Sequence, residues 1–186
     1  MTKLIVSRLC RAVGLLALIL PTSQAWADMP ITYKDAGKSL FTVNAPDFWT
    51  VRVGGPRELA ADGKGARTVS RLIGMHPVSE PGVWVGFVSP AGVRNFDDAT
   101  EYLRDIGPFL VKGAQVDSRK SHKIGGLPAK TIAGHGTRKG KTVNFTAVLI
   151  DLPNGRMAIS VTVMEAGVDP AIVADVNEIY SSFRAN

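Results

Sequence analysis

The sequence predicts an α+β fold, a mostly antiparallel β-sheet flanked by helices in an α/β/α sandwich. Three observations lead there. Over residues 141–163, Val143, Phe145, Ala147 and Leu149 form one alternating apolar series, and Met157, Ile159, Val161 and Val163 form a second. Strict period two is what a strand on a packed face requires. Between the series stands Leu152-Pro153-Asn154-Gly155, where proline pre-sets one turn dihedral and Asn-Gly tolerates positive φ. The period then changes: Ile172, Val176, Ile179 and Phe183 fall at i, i+4, i+7 and i+11, one face of a helix.

The chain begins with a segment that does not belong to this fold. Lys3, Arg8 and Arg11 form a basic start, Val13 to Leu20 an apolar run, and Ala25-Trp26-Ala27 a small-x-small cleavage site, the pattern of a secretory signal peptide. The run is shorter than the ~20 residues a spanning helix needs, and Pro21 ends it. Residues 1–27 are therefore expected to be removed, leaving a single α+β domain over 28–186 that is exported, in a bacterium to the periplasm. Without the signal the chain holds 19 basic and 16 acidic residues, a net charge of +3. So small a charge does not announce a nucleic-acid binder. Cys10 is the one cysteine, so the expected domain has no disulfide, thiolate nucleophile or cysteine metal ligand. A domain of ~150 residues buries enough surface to fold without them.

Taken in order, Ile31 and Tyr33 begin a strand, Asp35-Ala36-Gly37-Lys38 turns it, and residues 40–43 return it, a hairpin. Trp49, Val51 and Val53 alternate with Thr50 and Arg52 as a further strand. Residues 54–67 carry glycine and charge without periodicity and read as a surface loop. Val69, Ile73 and Met75 predict the next strand, closed by His76-Pro77. Val83, Val85 and Phe87 predict another, with Gly86 where a neighbour approaches closely. Phe96, Ala99, Leu103, Ile106 and Leu110 keep helical spacing behind Asp97 and Asp98. Gly107-Pro108 sits inside that pattern, which predicts a break or kink near Ile106. Residues 114–124 read as a polar edge strand and Gly125-Gly126-Leu127-Pro128 as a turn. A hairpin around Thr137-Arg138-Lys139-Gly140 leads into the closing unit, whose helix starts with Asp169 as cap and Pro170 at its first position.

Several short segments match those of a known superfamily. They are the opening hairpin over residues 31–43, Ala45-Pro46-Asp47-Phe48-Trp49, Gly126-Leu127-Pro128-Ala129, and a closing helix ending in Ile179-Tyr180-Ser181-Ser182-Phe183. In these the chain resembles the superfamily of the photosystem II extrinsic protein PsbP, the Ran-binding Mog protein and bacterial DcrB-like envelope proteins. The resemblance implies a central antiparallel sheet flanked by helices, acting as a binding or assembly factor. It brings no catalytic residues.

Nothing in the sequence assembles a catalytic or metal site. Residues 133–142, Ala-Gly-His-Gly-Thr-Arg-Lys-Gly-Lys-Thr, approach a phosphate-binding loop, but His135 stands where that loop needs its first glycine. A strand pattern, not a helix, follows Thr142. His76, His122 and His135 show no ligand spacing with one another. No serine has a nucleophile-elbow context, and adjacency of Ser121 and His122 does not bring their side chains together. No cofactor is expected.

Two basic clusters are the candidate contacts for a partner or anion: Arg119, Lys120 and Lys123, and Arg138, Lys139 and Lys141. If residues 114–124 pair close to the following hairpin, both converge on one end of the sheet. Arg57, Lys64, Arg67 and Arg71 are a weaker third group, diluted by Glu58 and Asp62. The expectation is a non-enzymatic binding or accessory protein of the bacterial envelope, contacting a protein partner through a sheet edge or the 54–67 loop. Two other readings stand beside it: a binder of anionic lipid or polyanion through the basic clusters, and a hydrolase whose site is built from separate loops.

Overall fold

The computed structural model describes residues 28–55, 57–61, 64–69, 71–153 and 155–186. The expected signal peptide, residues 1–27, lies outside them, as does Asn154 of the closing turn. Among the described residues seven strands precede the first helix: β1 (Met29–Asp35), β2 (Lys38–Ala45), β3 (Trp49–Gly54), β4 (Arg57–Ala61), β5 (Lys64–Val69), β6 (Leu72–Pro77) and β7 (Val83–Val88). Helix α1 (Phe96–Leu110) follows, then β8 (Lys112–Ile124), β9 (Leu127–Arg138), β10 (Lys141–Leu152) and β11 (Arg156–Glu165). Helix α2 (Pro170–Ser181) and a two-residue strand β12 (Arg184–Ala185) close the chain.

The main sheet has seven antiparallel strands in the order β3-β6-β7-β11-β10-β9-β8. The expected α+β class and antiparallel sheet are therefore present. The two series of the closing hairpin pair directly, Phe145 with Val163, Ala147 with Val161 and Leu149 with Ile159. Their shared face carries α1: Val88, Val93, Ala99, Leu149, Met157 and Ile159 form one buried cluster, and Val111, Val143, Ala147, Val161 and Val163 a second. The intervening residues face the other way. Val148, Ile150, Leu152 and Ala158 pack with Val83, Val85 and Phe87 against Ile172, Val176 and Ile179 of α2.

That second side is shared with a small sheet, β1-β2-β12. Its Phe41 stacks on Tyr33 at 4.9 Å and on Phe183 at 5.1 Å, centroid to centroid. Phe183 lies past the end of α2 yet is wholly buried, because β12 pairs Arg184 with Thr42 and Ala185 with Phe41. The Trp49 indole N–H donates to Asp175 of α2 at 3.3 Å.

Turn chemistry explains the hairpins. Ala36 and Gly37, and Lys139 and Gly140, have positive φ at both central positions of two-residue loops, as do Gly125 and Gly126. That is the backbone whose twist matches flanking strands. Both helices are capped, α2 by the expected Asp169 and α1 by Asn95, which was not singled out in the sequence. Asn95 Oδ1 accepts from the N–H groups of Asp97 and Asp98, both at 2.9 Å, and Asp169 Oδ1 accepts from Ala171 N–H at 2.8 Å ahead of Pro170.

Three expectations need correction. The expected 54–67 loop holds two strands: β4 and β5 pair as a separate two-stranded sheet, with residues 56, 62 and 63 outside the described residues. That hairpin is no part of the seven-stranded sheet, so the alternation that marks strands on its packed faces is not imposed there. For the same reason Val69 belongs to β5 and not to the strand of Ile73 and Met75. Helix α1 does not break at Ile106 but runs through Pro108 to Leu110, and the Val111 N–H closes on Gly107 O at 2.9 Å. Pro108 falls in the last turn, where proline removes one bond and little helix remains to be disrupted.

Candidate functional site

On the α1 side, the helix does not cover the sheet to its edge. Between the C-terminal half of α1 and the strand β8 lies a groove of about 420 Å³. Its floor is apolar: Ile132 of β9, Phe145 and Ala147 of β10, and Val161 of β11. Leu103, Gly107 and Leu110 form the helix wall, Ala114 and Val116 the edge wall. A Cβ at Gly107 would meet nothing within 4 Å, so the missing side chain widens the groove. Among the described residues two charged side chains line it, Arg104 on the helix and Arg119 on β8. Both are exposed, and among the described residues neither has a hydrogen-bond or ion-pair partner.

The groove exists because of two glycines in the stretch that approached a phosphate loop. Gly134 lies opposite Phe145, whose ring occupies the space above it; a Cβ there would come within 2.7 Å of Phe145 Cζ. A Cβ at Gly136 would meet Val111 Cγ1 at 2.5 Å and Lys112 O at 2.8 Å. These glycines let the ring and the α1–β8 connection settle onto the sheet. The intervening His135 points away, and its Nδ1–H donates to Asp117 at 2.9 Å. Residues 133–142 are thus a β-hairpin, with no helix after Thr142.

The opposite side has a wider trough of about 700 Å³ between α2 and strands β8 to β11. It is more polar, with His122, Thr131, Thr146 and Tyr180 among its lining. The Tyr180 hydroxyl is engaged by Ser160 at 2.8 Å and Thr162 at 2.9 Å. Burial raises its pKa above the ordinary value, outweighing the two hydroxyl contacts that lower it. His122 Nε2 meets Thr131 Oγ1 at 2.7 Å. Ser121 is the preceding residue of the same strand and so faces away from it. Among the described residues no three His, Cys, Asp or Glu side chains gather as a metal site.

The register separates the two basic clusters. Lys123 pairs with Pro128 beside the Gly125-Gly126 turn, while Arg138 pairs with Lys141 at the far end of β9. The ten steps from Pro128 to Arg138 span about 34 Å at ~3.4 Å per residue, so the expected convergence on one end of the sheet does not occur. At that far end Arg138 lies over the Trp84 ring, 5.6 Å from its centroid, and Lys141 Nζ bonds Glu165 Oε2 at 2.6 Å. Lys139 occupies the turn with φ 51°. The other cluster lies along β8, which forms the outer edge of the sheet and is exposed from Lys112 to Lys123. Its pairing to β9 is interrupted between Lys112 and Gln115 and between Val116 and Ser118, then regular from Ser118 to Ile124. Arg104 and Gly107 were not candidates in the sequence; the signal that could have found them is Gly107-Pro108, tolerated inside an otherwise amphipathic helix.

Among solved structures, the solution structure of cyanobacterial PsbP (CyanoP) from Synechocystis sp. PCC 6803 is similar over 96% of this chain and 98% of its own, at 12% identity and a TM-score of 0.55. The mycobacterial protein LpqN, involved in cell envelope biogenesis of Mycobacterium tuberculosis, matches 86% of this chain and 91% of its own at 13% identity and a TM-score of 0.44. A protein of unknown function from Pseudomonas aeruginosa, PA94, matches 82% and 94% at 14% identity and 0.43. No family model and no curated protein sequence matches the chain. The fold is that of PsbP, as the short motifs led one to expect. Among the described residues no helix is long and apolar enough to cross a membrane.

Proposed function

We propose that this chain is an exported binding domain of the bacterial cell envelope that contacts a protein partner along the edge of its main sheet. The observation that carries this is β8. It is thirteen residues long, exposed almost throughout, and flanked on its outer side by no other described strand. Its regular stretch, Ser118 to Ile124, offers a row of main-chain donors and acceptors to an added strand. Lys120 and Lys123 within it favour an acidic partner, and the two bulges before it are the kind of feature that keeps a free edge from pairing with itself. Export rests on the signal pattern of residues 1–27.

The test is affinity purification from envelope fractions under conditions that preserve weak complexes, comparing the wild type with K120E/K123E and with K139E at the opposite end. The reading expects a specific envelope protein recovered by the wild type and by K139E and lost with K120E/K123E. Recovery of no specific protein, or undiminished recovery by the β8 variant, overturns it.

A further inference from the structure

We infer that the groove between α1 and β8 binds one single-chain anionic amphiphile, a fatty-acid-type carboxylate, its chain on the Ile132–Phe145–Ala147–Val161 floor and its head toward Arg104 and Arg119. This goes beyond the strand-edge reading and is independent of it, since Lys120 and Lys123 take no part. Three observations converge on the occupant. The floor and both walls are apolar, and the volume of about 420 Å³ falls in the ~300–1,000 Å³ range of small-molecule sites. A groove of that size suits one medium acyl chain and would leave the second chain of a two-chain lipid in solvent. The charge is of one sign: Arg104 and Arg119 stand on opposite walls, and among the described residues no carboxylate lines the groove and neither guanidinium has a partner. An arginine fork suits a carboxylate.

Gly107 supplies the discriminating variant. Its Cβ direction is open and it lines the groove, so a large side chain there is expected to occupy the space the ligand would take, and the helix loses a glycine that disfavours it.

The experiment is calorimetric titration of the purified protein with laurate and with dodecanol, below the concentration at which either aggregates. Laurate binds with one-to-one stoichiometry, and dodecanol binds more weakly. Arg104→Gln and Arg119→Gln each weaken laurate by roughly three- to tenfold and leave dodecanol unchanged. Gly107→Phe abolishes both while the unfolding temperature holds. Methyl resonances of Leu103, Ile132 and Val161 shift with laurate in the wild type, which reads out the site even if Gly107→Phe folds poorly. Absence of laurate binding, laurate binding with those methyls unmoved, or equal loss of dodecanol in the arginine variants overturns the assignment. So does binding to phosphatidylglycerol vesicles that Gly107→Phe leaves intact and laurate does not compete, which would make the arginines a membrane-facing surface.

Discussion

The ring of Phe145 lies directly over Gly134, its partner across the β9–β10 ladder. A Cβ at position 134 would press on the ring and also on the backbone oxygen of Gln115. The ring could turn aside, but the backbone of an edge strand must move bodily. Gly134→Ala is therefore expected to destabilise the protein by about 1–3 kcal/mol, as overpacking does. Gly107→Ala, in open space on a helix, is expected to add ~0.5–1 kcal/mol. Urea unfolding of the two variants side by side measures both; equal stabilities would contradict the close approach at Gly134.

Tyr180 holds two buried hydroxyls at once. Ser160 and Thr162 are almost wholly inaccessible, and Tyr180 Oη is the side-chain contact of each. Tyr180→Phe leaves both without it, at a cost of about 1–3 kcal/mol. The companion variant S160A/T162V/Y180F removes all three polar groups and is expected to recover part of that loss in thermal unfolding. A triple variant no better than Tyr180→Phe alone would place the cost in packing instead.

Tyr102 presents the opposite case. Its hydroxyl is buried with no hydrogen-bond partner among the described residues. Burial pushes its pKa up to about 12, with Tyr33 nearby adding to the shift. The unfolded chain loses this proton near pH 10, whereas the folded protein keeps it. The folded state is thus favoured fully below pH 10 and loses ground as pH rises toward 12. Tyr102→Phe is expected to be at least as stable as the wild type at pH 7 and to lose stability less steeply above pH 10. Some slope remains, because burial also raises Tyr33 and Tyr180. Denaturant titrations at pH 7, 10 and 11 check it, and an identical slope in the variant would contradict the assignment.

Asn95 ties the start of α1 through two hydrogen bonds. Asn95→Ala is expected to cost about 0.5–2 kcal/mol, and Asn95→Asp to cost little, since a carboxylate accepts the same bonds at the positive end of the helix. Because α1 forms one wall of the groove, amide hydrogen exchange in its first turns should quicken in the alanine variant before the rest of the sheet responds. Uniform quickening across the protein would show the cap to matter only globally.

Much of this architecture was legible in local chemistry. Positive-φ turns advertise themselves where Ala36-Gly37, Gly125-Gly126 and Lys139-Gly140 stand between alternating runs. Asp169-Pro170 marks a helix start by residue type alone. The β4–β5 hairpin was not legible, because a two-stranded unit apart from the main sheet need not alternate. The candidate site was legible only in part. Arg119 was noticed for its charge, whereas Arg104 reads as one more exposed helix residue until β8 is placed across from it.

By itself, then, the sequence determined which segments form the strands of the main sheet and the two helices, where most turns fall, and which face of these elements is apolar, since these depend on neighbours a few residues away. Only the tertiary structure decided what meets across the sheet. The ladder register sent Lys123 and Arg138 to opposite ends of β9, and the strand order left β8 at an open edge. The seating of α1 left part of the apolar floor, at Ile132 and Phe145, accessible between two arginines 15 positions apart in the chain. Those relations depend on long-range pairing, which carries no local signal for a reader of the chain to find.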